Sequence, residues 1–130
     1  MAKLTEVRNT PELHAGGIKY SYSCTAASEI FAGALVARNG ENLAVPAADA
    51  AGVVVLGRAE NSAAAGEKIV VKRGVFLYEN GEGAEALTQA DIGADCFVCD
   101  DQTVGKIGGT NKVKAGVVLD VTSEGVAVIV

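Results

Sequence analysis

Gly116-Val117-Val118-Leu119-Asp120-Val121-Thr122-Ser123-Glu124-Gly125-Val126-Ala127-Val128-Ile129-Val130 is the stretch whose reading decides the fold. Two apolar, β-branched runs flank Thr122-Ser123-Glu124-Gly125, a short polar loop that ends in glycine. Runs of this length, joined this tightly, form a β-hairpin. Working outward, similar runs recur at residues 34–38, 53–58, 68–72, 75–78 and 95–99. Each is about four to seven residues long, the length of a strand rather than a helix. Turn material separates them: Asn39-Gly40, Asn80-Gly81 and Gly108-Gly109. Many short strands at this spacing predict an all-β single domain, a small barrel or sandwich. Helix is scarce. Its best candidate, residues 86–91, reads equally as a turn before Gly93, and Ala63-Ala64-Ala65 is ended at once by Gly66 and reads as a loop.

The composition fits such a fold. Of 130 residues, 22 are Ala and 18 are Val, against six aromatics and no Trp, so the core must be assembled from small and β-branched side chains. High apolar content with 21% charged residues argues against disorder. The net charge of −5, without a basic run, argues against a nucleic-acid partner. No apolar stretch approaches the about 20 residues of a membrane helix, so no membrane partner is expected. The opening Met1-Ala2-Lys3-Leu4-Thr5-Glu6 lacks the apolar block of a secretory signal. With three Cys, an odd number, this predicts synthesis in a reducing cytoplasm.

Two finer features stand out. Ala51-Gly52-Val53-Val54-Val55-Leu56 echoes Ala115-Gly116-Val117-Val118-Leu119-Asp120, and two copies are too few for a solenoid. They read as two similar hairpins within one barrel. Residues 1–29 differ in texture, with Pro11, Gly16-Gly17 and the polar/aromatic alternation Lys19-Tyr20-Ser21-Tyr22-Ser23 of an edge strand. They read as an N-terminal arm ordered by a partner, ahead of a β-barrel-like domain at 30–130.

Constellations that could carry chemistry are few. Cys96-Phe97-Val98-Cys99 has the spacing of zinc knuckles and redox motifs. On a strand, however, the two thiols point to opposite faces and cannot share a metal. Cys24 and His14, the other available ligands, lie far away in the arm. A His14/Cys24 nucleophilic pair lacks an orienting third group. Residues 79–101 carry Glu79, Glu82, Glu85, Asp91, Asp95, Asp100 and Asp101 without a Lys or Arg, but not at the spacing of a calcium loop, and read as a solvated acidic face. Lys106, Lys112 and Lys114 follow, a basic patch that a neighbouring copy's acidic face could meet. Gly105-Lys106-Ile107-Gly108-Gly109 is too short for a phosphate loop. No catalytic, cofactor or metal residues are expected.

Ala32-Gly33-Ala34-Leu35-Val36, Val53-Val54-Val55-Leu56-Gly57-Arg58-Ala59, Gly66-Glu67-Lys68-Ile69-Val70-Val71, Gly74-Val75-Phe76, Asp91-Ile92-Gly93-Ala94-Asp95 and the closing hairpin follow one another in an order that resembles the small capsid decoration, or cement, proteins of tailed bacteriophages and prophages. The resemblance runs from about residue 30 to the last residue. It implies a compact β-barrel-like protein without catalysis, a homo-oligomer, often a trimer, seated on the capsid exterior of the virion. Its partners would be its own copies and the major capsid protein lattice. Lys3, Leu4, Val7 and Arg8 of the arm are the expected shell-binding residues. A tail or baseplate component, or a small ligand-binding β-barrel module, is the alternative.

Overall fold

Strand β1 (Tyr20–Thr25) opens a five-stranded antiparallel sheet that continues with β2 (Leu35–Arg38), β3 (Ala44–Pro46), β4 (Val54–Ala59) and β5 (Lys68–Arg73). Their spatial order is β1-β5-β4-β2-β3. The computed structural model describes residues 20–130 together with Glu6, Arg8 and Asn9. Lys3, Leu4, Val7 and His14 lie outside the described residues; Arg8 is exposed. The alternating segment read as an edge strand is β1, so part of the stretch grouped with the arm is built into the sheet.

The second half forms a closed barrel from β6 (Val75–Asn80), β7 (Asp95–Val98), β8 (Thr103–Gly105), β9 (Lys114–Thr122) and β10 (Gly125–Ile129), in the order β10-β6-β8-β7-β9. Its ladders are antiparallel except the short β6–β8 pair. The protein is a small all-β domain. Its only helical turns among the described residues are 3-10 turns at Gly83–Glu85 and Gln89–Asp91. The second turn falls inside the helix candidate at 86–91 and stops after one turn. Thr88 and Asp91 cap it reciprocally, with the Thr88 N–H donating to Asp91 Oδ2 at 2.8 Å. No helix among the described residues is long and apolar enough to cross a membrane.

The β9–β10 hairpin has the predicted loop, with Thr122 facing Gly125 across the turn. The reading of two hairpins within one barrel is corrected. The 51–56 copy feeds β4 of the sheet and only the 115–120 copy belongs to the barrel. The two copies share a local pattern, but that pattern does not specify which distant strand closes the ladder.

Each half has its own core. Inside the curled sheet lie Ile30, Val36, Ala59, Ile69 and Val71, and the curl is tight enough that Ala26, just after β1, bridges to Ala44 on the opposite edge strand. The barrel encloses Tyr78, Cys96, Val98, Val104, Val118, Val126 and Val128. Strand β2 serves both. Alternation turns Val36 into the sheet's core and Leu35 and Ala37 into the barrel's, and all three are fully buried. Burying Leu35 and Val36 contributes roughly 1.5–3 kcal/mol each. Main-chain bonds tie the halves further: the Leu35 N–H donates to the Asp101 carbonyl at 2.7 Å and the Val130 N–H to the Gly74 carbonyl at 2.9 Å. Arg58 of β4 lays its guanidinium over the Phe76 ring of β6, 4.2 Å from its centre.

Candidate functional site

Within the barrel wall β10 lies between β6 and β9, and the registers align their outward side chains in rows. Val75, Ile129 and Val117 form one row; Leu77, Ala127 and Asp120 form the next. A bulge in β9 adds Leu119 to the second row, since Ala127 pairs with Asp120 and Val128 with Val118. The result is an outward face with six aliphatic side chains, in which Leu77 is 56% and Leu119 48% exposed. Alternating partners Phe76, Tyr78, Val126 and Val128 point inward. The wall is therefore apolar on both sides, which a strand facing only water does not require.

Beside this face the seam between the two halves opens into a cleft of about 890 Å³. One wall is residues 50–55, the other residues 111–117, and Arg73, Ile129 and Val130 complete it. Each wall runs from a turn into the start of a strand, β4 at Val54 and β9 at Lys114. Strand β4 pairs with β2 along its length, but its register with β5 covers only Arg58 and Ala59. Strand β9 pairs with β10 from Val117 onward, leaving residues 114–116 bonded to β7 alone. The charged side chains lining the cleft are Arg73, Lys112 and Lys114, and among the described residues no Asp or Glu lines it.

The glycine loop at 105–109, rejected above as a phosphate loop, has its amides committed within the chain. Glu85 turns inward from the acidic stretch to accept the N–H groups of Ile107 at 2.7 Å and Gly108 at 3.0 Å. Asp49 accepts those of Thr110 at 2.9 Å and Asn111 at 2.8 Å. These amide bonds hold the Asp49 carboxyl below its ordinary pKa. Gly108, at φ 87°, sits where a side chain would run into the Phe97 ring. Two carboxylates thus occupy positions that an external anion would take.

The acidic stretch is solvated as expected, with Glu79, Glu82, Asp95 and Asp100 exposed, and three of its carboxylates also make contacts within the chain. Glu85 clamps the loop, Asp91 pairs with Lys106 at 3.5 Å and Asp95 with Lys114 at 3.2 Å, all within one chain. Sequence reasoning missed Glu85 and Asp49 as loop anchors because their partners lie 22 to 62 residues away.

The cysteines are placed as the strand geometry requires. Cys96 is fully buried in the barrel and Cys99, on the other side of the strand, is half-buried. Burial pushes the Cys96 thiol up to about 11. Burial, the hydrogen bond to Glu85 and the negative charges of Glu85, Asp100 and Asp49 do the same for Cys99, to about 11. Burial also raises Cys24, against the pull of Lys68. Each shift disfavours the thiolate, the form that attacks or binds metal. Among the described residues no three His, Cys, Asp or Glu side chains gather as a metal site. No family model, curated protein or solved structure matches the chain.

Proposed function

We propose that the protein is a non-enzymatic structural component of a tailed-phage particle, a homo-oligomer, with a trimer favoured, that sits on the outer surface of the capsid and stabilises the shell. The observation that supports this reading is the outward aliphatic face of β6, β10 and β9. Such a face favours association because covering it removes apolar surface from water at about 25 cal/mol per Å². The capsid as the place of assembly comes from the resemblance in segment order. A protein that binds the assembled shell and not its free subunits stabilises the shell by mass action, and many weak contacts on a symmetric lattice suffice. Lys3, Leu4, Val7 and Arg8 are the proposed contacts with the major capsid protein, adding an ordered segment to its surface.

Light scattering over a range of concentrations tests the self-association, and co-sedimentation with empty phage capsids tests the docking. The expected mass is three times 13.2 kDa. Leu77→Glu with Leu119→Glu should reduce it to that of a monomer without unfolding the chain. Deleting residues 2–15 should abolish capsid binding while thermal unfolding of the core stays nearly unchanged. A strict monomer that ignores capsids overturns the proposal.

A further inference from the structure

We propose that the cleft between β4 and β9 is an acceptor for an added strand, and that its occupant is an extended polypeptide segment in which apolar residues alternate with Asp or Glu. The inference holds whether or not the protein decorates a capsid.

Three observations lead there. The first is backbone availability. An exposed strand edge offers unpaired N–H and C=O groups, a template for another chain. Here one such edge, Val54 and Val55 of β4, lies along the cleft, opposite Lys114 at the start of β9. The second is side-chain size. Ala50, Ala51 and Gly52 contribute little bulk, so an incoming backbone can approach the wall that leads into β4. The third is charge. In a chain of net charge −5, this cleft has three cationic side chains and no carboxylate side chain among its lining residues.

An added strand matches that pattern through its own period of two. One set of side chains meets Val53, Val55 and Val113. The other set, one residue out of step, reaches Arg73, Lys112 and Lys114. Lys114 already pairs with Asp95, but at 3.2 Å between half-exposed groups this is a surface pair that an incoming carboxylate can replace at little cost.

The competing account of the same lysines is protective. Lysine on an edge keeps other strands away, and in that case the cleft accepts nothing. Fluorescence anisotropy with labelled peptides of about eight residues separates the two. The probes are an alternating Val/Glu peptide, its Val/Lys counterpart, and the Val/Glu peptide with two central prolines, which cannot complete a ladder. Expected are saturable binding of the Val/Glu peptide with Kd of about 10–100 µM, at least about tenfold weaker binding of the other two, and a reversed preference in K112E/K114E, which then takes the Val/Lys peptide. Circular dichroism of K112E/K114E verifies that it is folded, and the reversal itself excludes general damage. Absence of binding by every peptide, equal binding of both charges, or unchanged binding of the proline peptide overturns the proposal. So does a K112E/K114E variant that is folded, loses the Val/Glu peptide and does not gain the other.

Discussion

The two halves of the molecule solve the same problem by different means. Each wraps five short strands around an aliphatic core, of Val, Ala and Ile in the sheet and of Val with Leu, Ala, Tyr78 and Cys96 in the barrel, yet the second closes completely and the first nearly so. In the barrel, β10 pairs with β6 over Val126, Ala127, Val128 and Ile129 and so leaves that ladder no ends. In the sheet, closure rests on the single bridge between Ala26 and Ala44. Closure is a matter of strand supply. It depends on whether a strand long enough to complete the ladder is available, and the nine-residue β9 with its hairpin partner β10 supplies one. The sheet's last strand, β3, has three residues and includes Pro46, which cannot donate to a further neighbour.

Breaking the barrel's closure should have the largest effect. Gly116 lies so close to the Ile129 carbonyl that any Cβ would collide with it, and Val128 Cγ1 would be 2.8 Å from that Cβ. Gly116→Val is expected to prevent folding, visible as loss of the β-type circular dichroism spectrum and recovery of the protein only in inclusion bodies. Native, soluble G116V would mean that the hairpin can close elsewhere.

Strand β2 allows the two cores to be weighed against each other. Leu35→Ala opens a cavity on the barrel side and is expected to cost about 3 kcal/mol; Val36→Ala, on the sheet side, about 2 kcal/mol. Because one strand belongs to both cores, each variant should lower a single cooperative transition in denaturant, followed by tyrosine fluorescence in this Trp-free chain. Two resolved transitions in either variant would show that the halves unfold separately.

Tyr78 sharpens the contrast in the opposite direction. Its hydroxyl is buried in the barrel without a hydrogen-bond partner among the described residues, and burial pushes its pKa up despite nearby Arg58. Tyr78→Phe removes an unsatisfied polar atom and should stabilise the protein by about 1 kcal/mol. A destabilised Y78F would reveal a partner for that hydroxyl.

The smallest expected effect concerns the loop that Asp49 holds across the seam. Its folded-state pKa is lowered, so its contribution is fully present above the ordinary carboxylate value near pH 4 and is lost as pH falls through the lower folded value. Asp49→Asn should therefore flatten the acid limb of a melting-temperature profile slightly and leave the profile above pH 6 parallel to that of the parent. An unchanged acid limb would assign the loop's stability to Glu85.

Much of this fold was legible because seven of the ten strands have strong apolar patterns bounded by turn residues. Strands β3 and β8 were not, since Ala44-Val45-Pro46 and Thr103-Val104-Gly105 are three residues each, too short to show a period. The division into sheet and barrel escaped for a related reason. Strand exchange is set by long-range registers such as Glu79 with Thr103, which no local pattern encodes. The cleft was hidden most deeply. Residues 53–55 read as ordinary strand material and Lys114 as part of a basic patch, and only the point at which β5 parts from β4 leaves the edge at Val54 and Val55 free. The cysteine spacing, by contrast, was interpretable at once, because alternation along a strand is a local property.

The parallel pairing of β6 with β8 imposes an order in time. As the chain emerges from the ribosome, β6 at Val75–Asn80 appears before any strand that can flank it. One side waits for Thr103–Gly105 and the other for Gly125–Ile129, some 45 residues after β6 is complete. Until then Leu35, Ala37 and the other barrel-facing residues of the already synthesised sheet have nothing to cover them. Such delayed, non-local closure is slow and leaves sticky edges exposed during synthesis. Slowing elongation before residue 125, or holding back the last hairpin, should therefore raise the fraction of chains captured by chaperones or lost to aggregation more than an equal pause within the sheet.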